Sequence, residues 1–376
     1  SKVRLEFLLK MGKDSIQLKS QTILDKMWDM SHEQLIFCSD HVLGLKAIIS
    51  IHNTVLGPAM GGTRMWNYTS EEAAIQDALR LSRGMTFKNS IAGLNIGGGK
   101  AVIIGDAKKI KGEKLMRRFG KFINGLGGQY WTAEDVNMTT QDMEYIRMET
   151  PYVAGLPEKS GGSGDPSPVT AYGVFCGMKA CAKVVYGTDA LAGKKILVQG
   201  LGNVGSYLIE LLVKEQAHIL VSDIFEDKIK AITERFKVTV VVSDEVYRAD
   251  VDIYAPCALG ATINSQTIPK MKCKIIAGGA NNQLEDEALH AKMLQDQGIL
   301  YGPDFLINSG GIINVYFEQQ GDYHRSKVLE KTEDIYKMTT DVINFAAVNN
   351  ITTYQAALNI ATKRIEDFSR LKSPTF

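Results

Sequence analysis

Three glycines run into a lysine at Gly97-Gly98-Gly99-Lys100, with Lys88 twelve residues before that lysine and Asp135 thirty-five after it. A lysine becomes a general acid and base when burial or a neighbouring cation brings its pKa toward neutrality. Glycines ahead of it let backbone approach a ligand where any Cβ would intrude. In this reading Lys88 supplies the cation and grips a carboxylate, while Asp135 passes protons. The same spacing also describes a surface turn entering a strand, with a solvated lysine whose stem lies on the surface. The glycine run alone leaves both readings open.

The second half of the chain carries a more specific pattern. Lys195-Ile196-Leu197-Val198-Gln199 reads as a buried strand and leads into Gly200-Leu201-Gly202-Asn203-Val204-Gly205, then into an apolar helix-like run from Ser206. A second strand, Ile219-Leu220-Val221-Ser222, ends at Asp223. This is a complete GxGxxG between strand and helix, with an acid about 20 residues on, as in a βαβ dinucleotide site. Gly200 makes the turn, Gly202 admits the pyrophosphate, and Gly205 lets the helix pack on the strand. The N–H groups of Asn203 and Val204 then open the helix toward the phosphates. Asp223 is placed to accept the adenosine ribose hydroxyls. Ile224, Phe225 and Glu226 follow it, with no arginine to meet a 2′-phosphate. The expected cofactor is NAD rather than NADP.

Bulk properties fit an enzyme of this kind. The chain has 376 residues, 45% hydrophobic and 23% charged, enough for two domains with separate cores. A net charge of +1 leaves no electrostatic footprint for nucleic acid or a membrane surface. The five cysteines include no CxxC pair, which suits a reducing cytoplasm. No apolar run reaches membrane-spanning length and no signal-peptide core opens the chain, so a soluble cytoplasmic protein is expected. The six histidines stand apart from these motifs, and no His/Asp/Glu spacing points to a metal.

These residues need elements to hold them. Ser160-Gly161-Gly162-Ser163-Gly164-Asp165-Pro166-Ser167-Pro168 is the segment richest in Gly, Ser and Pro and reads as a hinge. Ser167 and Pro168 are expected to cap and start a helix over 169–184. Before the hinge, strands are expected at 35–38, 46–52, 101–105 and 130–133. Thr69-Ser70-Glu71-Glu72 opens a helix as a capping box, with Ile75, Ala78 and Leu79 on its apolar face. After it, strands at 237–242, 251–255 and 274–277 alternate with helices, as in a parallel doubly wound sheet. An amphipathic helix over 353–368 turns Ala356, Ala357, Ile360, Ala361 and Ile365 inward.

Longer segments carry a family resemblance. Gly57-Pro58-Ala59-Met60-Gly61-Gly62-Thr63-Arg64, Arg83-Gly84-Met85-Thr86-Phe87-Lys88 and Leu94-Asn95-Ile96-Gly97-Gly98-Gly99-Lys100 resemble the Glu/Leu/Phe/Val amino acid dehydrogenases. So do Thr132-Ala133-Glu134-Asp135 and Asn308-Ser309-Gly310-Gly311-Ile312-Ile313-Asn314, and the similarity runs from about His32 onward. The resemblance implies a two-domain α/β fold with a cleft between the domains. Residues 1–155 would form the substrate-binding and oligomerisation domain, 156–345 the Rossmann NAD-binding domain, and helix 346–376 would fold back onto the first. It implies Lys100 as the catalytic lysine that activates water and returns protons, and Asp135 as the group exchanging a proton with the substrate amine. Lys88, with Gly61 nearby in the motif order, falls on the substrate side and binds the α-carboxylate. Thr170, Asn282 and Asn308 match positions beside the nicotinamide. The implied reaction is reversible oxidative deamination to a 2-oxo acid and ammonia, in a homo-oligomer, expected to be an octamer.

Two departures stand out. Ala107 follows Asp106 where proline is usual, and Asn137 occupies a loop position where glycine is commoner. The first thirty residues have no counterpart that assigns them a role. The glutamate branch of the family places a lysine and a serine around the side-chain carboxylate, where this chain has Met60 and Val315. Burying an unpaired carboxylate there would be costly, so Met60, Ala133, Ile312 and Val315 imply an apolar pocket for leucine, valine or isoleucine. An aromatic substrate, phenylalanine or tryptophan, is the alternative within enzymes. A non-catalytic NAD-binding assembly protein is the alternative outside them, and the joint presence of Lys88, Lys100 and Asp135 speaks against it.

Overall fold

The computed structural model describes residues 22–258, 260–321 and 323–372; most of the unassigned first thirty residues therefore lie outside it. The chain divides into two compact units. One takes the chain up to Phe87 with Asn95–Leu156, and the other takes Lys88–Leu94 with Pro157 onward.

The first unit is built on a six-stranded mixed sheet. After helix α1 (Ile23–Asp29), strands β1 (Gln34–Asp40) and β2 (Leu45–Asn53) form an antiparallel pair. β2 pairs antiparallel with β5 (Gly97–Ile104), and β3 (Ala59–Met60) and β4 (Thr63–Trp66) both run parallel to β5. β6 (Tyr130–Trp131) closes the other edge beside β3. Side chains alternate across a strand, and both faces of this sheet are covered. Ile49, Ile51, Ala101 and Ile103 meet Met116, Phe119, Met143 and Ile146 on one face. Ile48 and Val102 meet Ala74, Ile75, Ala78 and Leu79 of helix α2 (Glu71–Ile91) on the other. That double burial explains why β2 reads as a continuous apolar run rather than an alternating one.

The expected strands are present, with the last cut to Tyr130–Trp131, while β3 and β4 within the Gly57–Arg64 motif are additional. The capping box expected at Thr69 is corrected. Ser70 is the cap, accepting from the Ala73 N–H at 3.1 Å, and Glu72 instead pairs with the buried ammonium of Lys26.

The second unit holds an all-parallel sheet. Its strands are β7 (Lys195–Gln199), β8 (His218–Ser222), β9 (Thr239–Val240), β10 (Ile253–Pro256), β11 (Ile275–Ile276) and β12 (Leu300–Tyr301). The order β12-β11-β10-β7-β8-β9 reverses direction at β7, the doubly wound pattern. Helix α6 (Ser167–Tyr186) begins at Ser167, so Ser167 is not its cap; Asp165 Oδ1 accepts the Ser167 N–H at 2.9 Å. Helix α13 (Thr353–Lys372) buries Ala356, Ala357 and Ala361. It is tied to the Lys88–Leu94 segment, for Ser90 Oγ donates to the Ala361 carbonyl and Arg364 to that of Leu94. Among the described residues no helix is long and apolar enough to cross a membrane.

Candidate active site

In the first unit Lys100 sits inside β5 opposite Ser50, 6% exposed, and not in a turn. Its Nζ lies 2.8 Å from Asp135 Oδ2. The room left by the missing Cβ atoms of the three preceding glycines is filled by the protein itself. A Cβ at Gly97 would stand 1.9 Å from the Asn53 carbonyl, at Gly98 2.2 Å from the Thr86 nitrogen, and at Gly99 2.8 Å from the Tyr130 ring. The glycines therefore pack β5 tightly against its neighbours, which puts Lys100 deep in the unit. Gly61 works the same way: a Cβ there would collide with the Gly99 carbonyl, and the Tyr130 hydroxyl donates to the Gly61 carbonyl at 2.6 Å.

Asp135 is held from two sides. Arg64 Nε donates to the same Oδ2 at 2.9 Å, and Arg64 Nη1 reaches Asp77 Oδ2 at 3.0 Å. Burial alone would push the Asp135 carboxyl up, but the charges and hydrogen bonds of Lys100 and Arg64 outweigh it and hold it below the usual carboxylate range. In the loop after it, Asn137 takes the conformation a glycine would adopt without strain. Asn137 adopts φ 61°, the left-handed region that Asn tolerates. Its Nδ2 donates to the Met65 carbonyl at 3.0 Å, and Lys111 bridges the Asn137 carbonyl to Asp142.

In the second unit Lys88 Nζ donates to Asn281 Oδ1 at 3.0 Å, and Asn308 Nδ2 donates to the same oxygen at 2.9 Å. Asn308 is 5% exposed, and its Oδ1 is buried without a hydrogen-bond partner. Thr170 Oγ1 donates to the Pro166 carbonyl at 3.0 Å. Asn282, expected like Asn308 beside the nicotinamide, is exposed with φ 52° and takes no part in the Lys88 cluster. Gly200 turns β7 out of the sheet at φ 98°. A Cβ at Gly205 would strike the Gly200 carbonyl, whereas Gly202 faces open space. Helix α7 (Asn203–Lys214) starts at Gly202 with no side chain capping it. Asp223 accepts the Leu201 N–H at 2.6 Å and the Phe225 N–H at 3.0 Å.

Among the apolar candidates, Met60 is fully buried and Ala133 is 9% exposed, both in the first unit. Val315, 7% exposed, and half-buried Ile312 lie on helix α11 (Gly310–Gln319) of the second. The sequence reading missed Arg64, Asp77 and Asn281. Arg64 ends the Gly57–Arg64 motif and Asn281 opens an Asn pair, whereas Asp77 carries no motif at all.

A mixed-sheet unit with a buried lysine–aspartate pair, joined to a doubly wound unit with a glycine-rich βαβ turn, is the architecture of a nucleotide-dependent dehydrogenase. Comparison with known proteins makes the assignment specific. Residues 32–152 match the Glu/Leu/Phe/Val dehydrogenase dimerisation domain, and residues 161–372 match the Glutamate/Leucine/Phenylalanine/Valine dehydrogenase domain. The chain is similar to the leucine dehydrogenase of Bacillus subtilis (strain 168), 53% identical over 342 residues that cover 91% of this chain and 93% of the relative. The leucine dehydrogenase of Geobacillus stearothermophilus is 52% identical, covering 91% and 93%. The crystal structure of L-tryptophan dehydrogenase from Nostoc punctiforme superposes with a TM-score of 0.82 at 45% identity, covering 92% of this chain and 99% of that one. The chain belongs to the Glu/Leu/Phe/Val dehydrogenase family and is an amino acid dehydrogenase.

Proposed function

We propose that the protein catalyses the reversible, NAD-dependent oxidative deamination of leucine, with valine and isoleucine as overlapping substrates. An L-amino acid, NAD and water become the 2-oxo acid, ammonia, NADH and a proton. The observation that carries this reading is the buried Lys100–Asp135 pair, in a chain about half identical to leucine dehydrogenases.

The residues of the second unit fit a dinucleotide. Open space at Gly202 and an uncapped helix start leave backbone N–H groups for the pyrophosphate. Asp223 would take the adenosine ribose; Thr170, Asn282 and Asn308 would hold the nicotinamide end, where the unpartnered Asn308 Oδ1 can accept from an amide. When bound, NAD supplies the two-electron oxidising capacity. The protein's own side chains do the rest. Lys88 exchanges Asn281 Oδ1 for the substrate α-carboxylate, a stronger, charge-assisted partner. Asp135, kept ionised by Lys100 and Arg64, takes a proton from the substrate ammonium. Lys100 then deprotonates the attacking water and returns protons as ammonia leaves.

Met60 and Ala133 in the first unit and Val315 in the second are apolar and buried, and neither they nor Ile312 offers a charged partner to a substrate side chain. A glutamate carboxylate would lose its water without gaining a partner. Residues 1–155 are proposed to bind substrate and drive assembly, residues 156–345 to bind NAD, with the C-terminal 346–376 serving the first domain. Trp28, Phe37 and Val42, 79%, 58% and 78% exposed in the first unit, support a homo-oligomer, which we take to be an octamer. The cysteines of the described chain are all free, as a reducing cytoplasm would keep them. The test is stoichiometry. Leucine turnover should yield NADH, ammonia and the 2-oxo acid in equal amounts; NADH without ammonia would refute deamination.

A further inference from the structure

The reaction as proposed uses Lys100 and Asp135, but a third charged side chain touches the pair. On β4, Arg64 is in parallel register with Val102, and Val102 lies two residues from Lys100 on β5. Partners in register and residues two apart share a sheet face, so Arg64 and Lys100 project from the same face on adjacent strands. The helix over that face, α2, presents Asp77. Arg64 spans the gap with its two ends: Nε on Asp135 Oδ2 at 2.9 Å and Nη1 on Asp77 Oδ2 at 3.0 Å. Asp77 is fixed in turn by the Tyr68 hydroxyl at 2.7 Å and by Arg80 at 3.1 Å. The Arg64 side chain is 22% exposed, so its geometry is set by these partners more than by water.

Both cations converge on one oxygen. Lys100 and Arg64 meet Asp135 at Oδ2, and no donor among the described residues reaches Oδ1. We propose that Arg64, anchored by Asp77, is a positioning residue of this active site: it clamps Asp135 through one oxygen and leaves the other for the substrate nitrogen. The inference rests on the roles given to Lys100 and Asp135 above. It explains why the charge that Lys100 carries at one moment and gives up at another need not release the carboxylate, since Arg64 keeps its charge and its grip throughout. The charged and titratable groups facing Asp135 are Lys100 from β5, Arg64 from β4, Asp77 and Arg80 from α2, Tyr68 from the connection before α2, and Tyr130 from β6. Glu134 adjoins it in the chain.

The experiment is a pH profile of leucine deamination for Arg64→Gln, Arg64→Lys and Asp77→Asn, beside Lys100→Ala and Asp135→Asn. Removing a nearby positive charge favours the protonated form of Asp135. Arg64→Gln is therefore expected to move the acid limb upward by about one pH unit and lower kcat by about 10-fold or more, with KM for leucine changed only a few-fold. Arg64→Lys keeps the charge but cannot bridge two carboxylates, so its limb should stay near the parent's while kcat falls. Asp77→Asn removes a negative charge, so its limb should hold or move downward as kcat falls. A profile of Arg64→Gln that superposes on the parent's, whether turnover is kept or lost, overturns the proposal. If Arg64→Gln does not fold, parental kcat and an unmoved limb in Asp77→Asn overturn it instead. Parental turnover in Lys100→Ala and Asp135→Asn would instead refute the site assignment; their inactivity beside a parental Arg64→Gln would refute this inference alone.

Discussion

Lys100 and Asp135, thirty-five residues apart in sequence, meet at 2.8 Å with the lysine side chain 7% and the aspartate side chain 23% exposed. An ion pair this enclosed is costly to keep unless it is held by further hydrogen bonds. Arg64 supplies one such bond, and the tight glycine packing of β5 supplies the rigid frame.

Lys100→Ala should fold and bind NAD as the parent does, because the lysine lies away from the glycine-rich turn in sequence and in unit. Its kcat should drop by about 10² to 10⁴-fold, the span of a general acid–base group. Steady-state kinetics with a parallel NAD titration check this. Turnover within a few-fold of the parent would remove Lys100 from the chemistry.

Lys88→Ala should act mainly on binding. A carboxylate losing its charge-assisted partner gives up about 1.5–3 kcal/mol, so KM for leucine should rise by about 10-fold or more. An unchanged KM would mean that Lys88 serves Asn281 structurally and never meets substrate.

Cofactor choice follows from Asp223, whose two oxygens accept the Leu201 and Phe225 N–H groups and so stay fixed beside the turn. A 2′-phosphate there meets a like charge, which costs several kcal/mol. NAD should exceed NADP in kcat/KM by about 100-fold or more, and Asp223→Ser with Ile224→Arg should narrow the gap. Equal efficiencies in the parent would refute the role given to Asp223.

Acid stability should depend on two histidines packed edge to face. His32 and His52 stand with ring centroids 4.6 Å apart. Burial, opposed by a bond to the Leu79 carbonyl and aided by the Arg83 charge, brings the His32 pKa down to about 4. Burial and the His32 charge, against a bond to the Met30 carbonyl, bring His52 to about 3. Unfolding restores both to about 6.5, so below that pH the unfolded chain binds protons the folded chain refuses. Stability is thus full above about pH 6.5 and falls as pH drops toward 4 and then 3, by up to about 1.4 kcal/mol per pH unit for each histidine. Urea midpoints at several pH values check the slope, and His52→Gln should make it shallower. A parent whose midpoint is flat from pH 7 to about 4.5 would contradict the sign.

Much of this site was legible before the structure, and the reasons differ by residue. Lys100, Asp135 and the Gly200–Gly205 turn lie in long motifs with fixed spacing, so their order along the chain already places them. The three missing Cβ atoms of Gly97–Gly99 signal a close approach, but sequence does not say whether a ligand makes it or, as the fold shows, the chain's own Asn53, Thr86 and Tyr130. β3 and β4, two and four residues long, offer no periodicity to detect. The role of Arg64 stayed hidden because it depends on Asp77, thirteen residues away on a helix whose approach to β4 no local pattern reveals. Asn281 had no signal of its own, since nothing in the sequence tells which side chain of the Asn281–Asn282 pair meets Lys88; in the fold it is Asn281.

Oxidation of a branched aliphatic substrate with NAD is tested by kcat/KM for NADH formation across leucine, valine, isoleucine, phenylalanine, tryptophan and glutamate. Leucine should lead, with valine and isoleucine within the roughly 10 to 200-fold that a methylene or two is worth. Glutamate should be essentially inert, because Met60, Ala133, Ile312 and Val315 offer its carboxylate no charged partner. Phenylalanine or tryptophan leading the series, or glutamate turning over as fast as leucine, would contradict the account.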